Sequence, residues 1–344
     1  MKKAIAVLLA VMLMVGVLVG CGGTQTSTPT GDFDPADKTI AIFMGSMNHP
    51  VHRVVQMAFM TEGSALGYNA IVGGLDEGST QDLLNKFESY VTNGTEGAML
   101  WASDDSFYQF MRDMKDMCYF VVPHFAHEYV ETKNFISRNI CASAATYGYA
   151  AGEFLLEKLA EKGITSGVLG NTQAGPNVTE NAASDAFRKC IAESGANFTV
   201  ANVVYETTEL SEATNKVVGV INGNTGIVGA FGTTGGSCQS WSLAMQQTGK
   251  TDLVVVGVDY TEFNIDLVAE GKVAGLVAQP LYEEAKESVL ALDGLFHGKA
   301  YNDSAENWWV KLEAPVAHVD GEGMADIEHY RPIIDQVIAY YEGE

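Results

Sequence analysis

The chain has 344 residues, of which 47% are hydrophobic and 18% are charged. This composition supports a sizeable core and excludes a disordered, collagen-like or coiled-coil protein, while the length predicts about two domains. The formal net charge of -23 would repel phosphate groups, so no nucleic-acid partner is expected. Five cysteines, an odd number, do not indicate a dense disulfide framework.

The first 37 residues have the pattern of an export signal followed by a tether. A basic start, Met1-Lys2-Lys3, precedes an apolar run over residues 4–19, as in a secretory signal peptide. The run ends Leu18-Val19-Gly20-Cys21, which resembles the lipobox of bacterial lipoproteins. That resemblance implies a signal peptide over 1–20 and acylation of Cys21. A transmembrane anchor with an incidental cysteine is the alternative.

Residues 21–37 predict a flexible tether. Their first part, Gly22 to Gly31, is rich in Gly, Ser, Thr and Pro and has no apolar periodicity. The globular body is therefore expected outside the cytoplasm, held by a lipid anchor at the outer face of the bacterial cytoplasmic membrane. That location argues against chemistry that depends on NAD or nucleoside triphosphates.

The body alternates short apolar strands with amphipathic helices. The predicted strands are Thr39–Met44, Tyr68–Val72, Gly97–Trp101, Tyr119–Val122, Gly167–Gly170, Val200–Tyr205, Ile227–Phe231, Leu253–Val258 and Val273–Ala278. The predicted helices are His52–Leu66, Gln81–Thr92, Ser106–Met117, Val178–Ser194, Glu212–Asn222, Ser237–Thr248, Phe263–Glu270, Tyr282–Leu295 and Ile327–Tyr341. This alternation favours parallel sheets covered on both faces, and two α/β lobes rather than one very wide sheet.

Ligands of such sheets bind at the carboxyl ends of the strands, so the residues just after each strand are the candidates for a site. These residues combine aromatic rings, imidazoles, a carboxylate and an amide. That mixture suits a small polar molecule with apolar faces, such as a sugar, whose hydroxyls take directional hydrogen bonds while its C–H faces stack on rings.

The signal, the tether and the order of strand ends resemble the solute-binding lipoproteins of ABC importers, in the ribose- and galactose-binding branch of periplasmic binding proteins. The resemblance covers roughly residues 38–315. Its clearest segments are Asn48-His49-Pro50, Gly94-Thr95-Glu96-Gly97, Val254 to Asp259, and Gly271-Lys272-Val273 leading to Ala278-Gln279-Pro280.

The resemblance implies an α/β fold of two doubly wound parallel-sheet lobes joined by a three-crossover hinge (periplasmic binding protein-like I). The N-terminal lobe would comprise residues 38–139 plus 281–309. The C-terminal lobe would comprise 140–280 plus 310–344, including a C-terminal helix.

Carried over residue by residue, the resemblance predicts a ligand site that has lost charge and gained rings. Asp259 and Gln279 match ligand-bonding positions of the family. Trp101 replaces a typical Asn, and His124-Phe125 replace Asp-Arg. The full set of predicted ligand-binding residues is His49, His52, Trp101, His124, Phe125, Asn181, Thr234, Asp259 and Gln279. These changes are compatible with a binding protein, but they argue against ribose or galactose as the ligand.

Two rival chemistries start from the same segments. His49 with His52, and His124 with His127, are His-x-x-His pairs that together could hold zinc. Neither pair has a nearby cysteine or a dense carboxylate set, so no metal is predicted. The chain lacks GxSxG and HExxH motifs, and Gly249-Lys250-Thr251 lies between a helix and a strand, the reverse of a phosphate loop. No enzyme activity and no cofactor are predicted.

The predicted function is capture of a sugar or polyol and its delivery to the membrane subunits of an ABC permease, by a protein that acts as a monomer. Two alternatives remain open. The ligand could be a nucleoside or a furanosyl signal molecule, or the chain could be a sensor subunit that presents its ligand to a membrane receptor.

Overall fold

The computed structural model describes residues 33–76 and 78–343. The predicted signal peptide, most of the predicted tether and the predicted lipidation site Cys21 lie outside the described residues. Residues 35–344 constitute one compact unit, and two separate sheets lie within it.

The first sheet has six strands in the order β12-β5-β4-β3-β1-β2, and all of them are parallel. Five of the seven residues of β1 are fully buried, because helices cover both faces of the sheet. The strands are β1 Thr39–Gly45, β2 Asn69–Leu75, β3 Thr95–Leu100, β4 Tyr119–Pro123, β5 Arg138–Cys141 and β12 Trp309–Lys311. The accompanying helices are α1 Pro50–Ala65, α2 Thr80–Thr92, α3 Tyr108–Met114, α4 Tyr129–Thr132, α10 Leu281–Phe296 and α11 Ala305–Trp308.

The second sheet has seven strands in the order β13-β11-β10-β9-β6-β7, with β8 paired to β6. It is parallel except for β13, which runs antiparallel to β11. Its strands are β6 Ser166–Gln173, β7 Asn197–Val200, β8 Val204–Tyr205, β9 Ile227–Gly232, β10 Val254–Val258, β11 Gly275–Val277 and β13 Val316–Ala317. The later helices are α5 Ala144–Glu161, α6 Val178–Glu193, α7 Leu210–Gly223, α8 Ser237–Thr248, α9 Glu262–Ala269 and α12 Gly323–Glu342.

The chain passes between the two sheets three times, after β5, after β11 and after β12. Backbone hydrogen bonds tie these crossovers together. Leu312 N donates to Cys141 O at 3.2 Å, and Ala278 N donates to Pro315 O at 2.8 Å. The predicted two-lobed α/β fold with a three-crossover connection is therefore confirmed.

Several element predictions were wrong in detail. The sequence analysis did not predict β5, α5, β12 or β13, and it merged β7 and β8 into one strand, Val200–Tyr205. The predicted helix Ser106–Met117 is a 3-10 turn followed by the shorter α3. The missed strands have two to four residues, which is too short for any periodicity to appear.

Two glycines set the packing of the second lobe, where α5 lies unusually close to α6. A Cβ atom on Gly148 would lie 2.1 Å from the backbone oxygen of Ala183, and one on Gly152 would lie 2.8 Å from the Cys190 Sγ atom. Any side chain at Gly148 must therefore push the helices apart, because the atom that it meets belongs to the backbone.

We expect Gly148→Ala to lower the free energy of unfolding by about 2 kcal/mol through overpacking, although alanine is the better helix former. The matched control is Gly219→Ala on the exposed face of α7, where an added Cβ meets nothing within 4 Å. This control should be neutral or stabilising by up to about 1 kcal/mol. Urea unfolding of both variants measures the difference, and equal effects would contradict the packing argument.

Candidate functional site

The carboxyl ends of strands from both sheets carry the predicted site residues. β3 ends before Trp101 and β4 before His124 in the first lobe, while β10 ends before Asp259 in the second. Parallel pairing brings such loops to one edge of each sheet.

Five of the predicted residues form a continuous aromatic cluster in the first lobe. Trp101 stacks on His124, with ring centroids 4.5 Å apart and planes 19° from parallel. Phe125 meets the Trp101 ring edge-on at 5.7 Å. Trp101 also lies 5.4 Å from His52, whose ring lies 5.0 Å from that of His49. The cluster offers ring faces and imidazole nitrogens in one place.

His52 is held as a neutral imidazole. Its Nδ1 atom lies 3.0 Å from Gly45 O and 2.9 Å from Ser46 O. Both partners are carbonyl acceptors, so Nδ1 carries the proton and donates. Burial, followed by the neighbouring His49, lowers the pKa of His52 to about 4. Its Nε2 atom is thereby an acceptor at neutral pH.

His124 is anchored to the connection between the lobes. It has a left-handed backbone conformation, with φ 67°, and its Nδ1 atom lies 3.2 Å from the Oε2 atom of Glu284. Glu284 is in the first turn of α10, directly after the second crossover, and is 1% exposed. Burial raises the pKa of this carboxyl, while His124 opposes the rise.

Asp259 provides the buried carboxylate of the second lobe. It also has a left-handed backbone, with φ 68°, and its Oδ1 atom accepts a hydrogen bond from Gln279 Nε2. Burial raises the pKa of Asp259 to about 6, while the charge of His124 and the Gln279 bond oppose the rise. The predicted pair Asp259 and Gln279 is therefore together in the structure and electrostatically coupled to His124 of the other lobe.

The loop after β9 is shaped around this carboxylate. A Cβ atom on Gly235 would lie 2.7 Å from Asp259 Oδ2, so only glycine leaves room there. The Asn264 Nδ2 atom lies within 2.9 Å of Gly235 O and 2.9 Å of Asp259 O, which fixes the two loops to each other. The predicted residue Thr234 is half-buried beside Gly235.

Asn181 lies on the exposed face of α6, whereas the preceding residue contacts the strand-end loops. Glu180 Oε2 accepts from Ala174 N at 2.8 Å and lies 3.0 Å from Thr233 Oγ1. The sequence analysis missed Glu180. Its signal was the Asn177-x-x-Glu180 pattern, since Asn177 caps α6 by accepting from Glu180 N at 2.8 Å.

The second His-x-x-His pair does not converge on a common point. His127 is buried away from His124, with Nε2 3.0 Å from Ala102 O and Nδ1 2.7 Å from Tyr108 Oη. Because a carbonyl only accepts, Nε2–H donates to Ala102 and Nδ1 accepts from Tyr108. Among the described residues, no group of three or more His, Cys, Asp or Glu side chains is arranged to hold a metal ion.

A cavity of about 510 Å³ adjoins the aromatic cluster and the carboxylate. His49 and Thr234 are the predicted residues that line it, together with Gly235 beside Asp259. Its other walls come from α1, from the start of α9 and from the C-terminal helix α12. The volume lies within the range typical of small-molecule sites.

Trp241 and four cysteines belong to the core. Trp241 is fully buried, and its Nε1 atom donates to Thr172 Oγ1 at 2.9 Å. Cysteines 118, 141, 190 and 238 are buried and unpaired in the described part of the chain. None of the helices in residues 33–76 and 78–343 is long and apolar enough to cross a membrane.

Comparisons with known proteins agree with this architecture. A family model described as "Periplasmic binding protein domain" matches residues 40–300, which is most of the chain. No curated protein sequence matches the chain.

Among solved structures, the arabinose ABC transporter's periplasmic binding component from Shewanella sp. ANA-3, bound to L-arabinofuranose, is 13% identical with TM-score 0.74. The match covers 87% of this chain and 98% of the Shewanella chain. An Agrobacterium vitis solute-binding protein with bound α-D-tagatopyranose is 15% identical with TM-score 0.72, covering 85% and 98%. An arabinose-binding protein from Geobacillus stearothermophilus is 14% identical with TM-score 0.71, covering 86% and 99%.

The buried Asp259 carboxylate should make stability depend on pH. Its folded pKa of about 6 exceeds the ordinary value of 3.8, so the ionised form destabilises the fold. This cost is absent below pH ~4 and complete above about pH 6. We expect Asp259→Asn, which keeps an oxygen for Gln279, to stabilise the ligand-free protein at pH 7.5 by up to about 3 kcal/mol.

The gain should shrink as the pH falls from 6 to 4, as measured by thermal or urea unfolding across that range. Asp335→Asn, at an exposed position of α12, is the control and should show no such trend. A difference between wild type and Asp259→Asn that stays constant with pH would contradict the assignment.

Proposed function

The chain belongs to the periplasmic binding protein domain family, and we propose that it is an extracytoplasmic receptor that encloses a sugar or polyol between its two lobes. The observation that carries this proposal is the Trp101–His124 stack beside the Asp259–Gln279 pair. A flat aromatic face next to a carboxylate and an amide matches the two surfaces of a sugar ring. The sugars named for the structural relatives, arabinose and tagatose, support this class of ligand.

Each group has a distinct role in the proposed complex. The exposed face of the aromatic cluster stacks on the C–H face of the sugar, while Asp259 accepts from its hydroxyls and Gln279 fixes the carboxylate. Neutral His52 supplies a further acceptor through Nε2. Each of these roles is a binding role, and the family and the structural relatives named above are binding proteins, so we propose no catalytic step.

Closure about the hinge follows from where these groups lie. The rings belong to the first lobe and Asp259 to the second, so a ligand that contacts both favours the closed form by its difference in affinity for the two states. We propose lobes of residues 38–139 plus 281–309 and 140–280 plus 310–344. Strands β5 and β12 of the first sheet run on to Cys141 and Lys311, two residues past the proposed bounds at 139 and 309.

We further propose that the closed form docks on the membrane subunits of an ABC permease, and that acylated Cys21 holds the monomeric protein at the outer face of the membrane. The lipobox-like Leu18-Val19-Gly20-Cys21 supports the anchor. A sensor subunit that presents the same closed form to a receptor remains the alternative for the partner.

A second ligand class is favoured by the small number of charged residues among the predicted ligand-binding residues. Of the nine predicted residues, Asp259 is the sole carboxylate, whereas His49, His52, Trp101, His124 and Phe125 all present rings. A nucleoside, with a flat base and a furanose, would use the same stack and the same carboxylate.

A thermal-shift panel on the purified protein tests both classes, with L-arabinose, tagatose, hexoses, polyols and nucleosides as probes. A ligand at about 100 times its Kd adds about 2.7 kcal/mol of stability. We expect a shift with one sugar or polyol series. A shift with nucleosides alone would replace the sugar proposal by the second class, and no shift with any probe would contradict both.

Calorimetry on two Trp101 variants then tests the stacking surface. Trp101→Ala should weaken the binding of the responding probe by about tenfold or more, because it removes the ring face. Trp101→Phe, which keeps a ring, should stay within a few-fold of wild type. Equal loss in both variants would contradict a stacking role.

A further inference from the structure

The C-terminal helix α12 lies beyond the region that the family model matches, yet it forms one wall of the cavity. The family match ends at residue 300, whereas α12 spans Gly323–Glu342. Ile334, Val337, Ile338 and Tyr341 of this helix line the cavity. This wall is therefore built by a segment outside the matched domain.

The helix is fixed to both lobes. Near its end, Tyr341 Oη donates to Gln56 Oε1 at 2.9 Å, and the Arg53 guanidinium lies 5.0 Å from the Tyr341 ring. Near its start, Tyr330 stacks on Tyr260 with centroids 4.0 Å apart. The helix thus spans from α1 of the first lobe to the strand end that carries Asp259.

The cavity differs in character from the cluster beside it. Val51 and Val54 of α1 and Phe263 of α9 line it together with the apolar residues of α12, and the apolar part of the lining exceeds the polar part. Phe263 lines the cavity and is 65% exposed. Such a surface gains most from a bound group that is itself apolar.

Two residues that line the cavity each have an unpaired polar atom. The Thr207 Oγ1 atom and the Arg53 Nε atom are shielded from solvent, and each lacks a hydrogen-bond partner among the described residues. Both residues line the cavity, and Thr207 has a left-handed backbone with φ 70°.

The cavity is continuous with the proposed sugar site. His49 belongs to both, and Gly235 lines the cavity beside the Asp259 carboxylate. One molecule can therefore occupy both, with its polar ring at Asp259 and a second group against α12.

We propose that this cavity is a subsite for an aromatic aglycone, so that the ligand is an aryl glycoside rather than a free monosaccharide. This inference rests on the proposed function, because the sugar ring is taken to lie against Trp101 and Asp259. An aromatic group fits best, since Phe263, Tyr260 and Tyr341 line the cavity together with the aliphatic residues of α1 and α12, while the polar residues of the lining can take its substituents.

The test compares methyl and phenyl glycosides of the same sugars, namely D-glucose, D-galactose and L-arabinose, by calorimetry on the purified protein. The phenyl glycoside should bind about tenfold more tightly or better than its methyl counterpart, because the phenyl ring is buried in the cavity. Phe263→Ser should reduce the ratio of the phenyl-glycoside affinity to the methyl-glycoside affinity to about one. Since Phe263 is largely exposed, that variant should fold as wild type does.

The matched control is Val178→Ser, at an apolar residue that is 75% exposed in the first turn of α6 and does not line the cavity. It should leave the phenyl preference unchanged. Methyl and phenyl glycosides that bind equally to wild type would overturn the subsite, while the proposed sugar binding would stand.

A second experiment tests the aromatic subsite in case the protein binds no sugar. If no methyl glycoside binds, saturation-transfer NMR with phenol alone probes the cavity. A phenol signal in wild type that is lost in Phe263→Ser supports the aromatic subsite without the sugar. No phenol signal in wild type overturns it.

Discussion

Parallel pairing of strands is the constraint from which the rest of the molecule follows. It sends the loop after every strand to the same edge of its sheet, so residues far apart in sequence, such as Trp101, His124 and Asp259, reach one region. Two sheets built this way must be connected by crossovers, and here the three crossovers bond to one another through Leu312 and Ala278. The site and the hinge therefore have a common origin in the topology.

The site is assembled at a cost to stability. Asp259 and Glu284 are carboxyls that are almost fully buried, and Asp259 and His124 both hold left-handed backbones that a non-glycine residue rarely adopts. Gln279 and His124 compensate part of this cost by hydrogen bonding. Groups of this kind persist where binding needs them, and the well-packed cores of the two lobes supply the stability that they consume.

The sequence predicted the fold well because long buried strands and amphipathic helices have strong periodic patterns. It missed α5, whose many small residues give little contrast between faces, and it missed β5, β12 and β13, which are too short to show a period. The site was predicted by taking the residues just after each predicted strand, and this correctly pointed to the residues of the aromatic cluster and to Asp259. Spacing alone did not show that Asn181 is exposed while Glu180 turns inward. It predicted α12 as a helix but did not show that this helix would reach the first lobe. Both features depend on tertiary packing.

The attachment of α12 to both lobes has a kinetic consequence. Tyr341 is tethered to the second lobe and binds Gln56 of the first, so it behaves as an intramolecular clamp with a high effective concentration. In the proposed hinge motion, separation of the lobes would break this contact before ligand enters or leaves. Such a clamp would slow both steps together, and would lengthen the residence time of a bound molecule without changing which molecule is preferred.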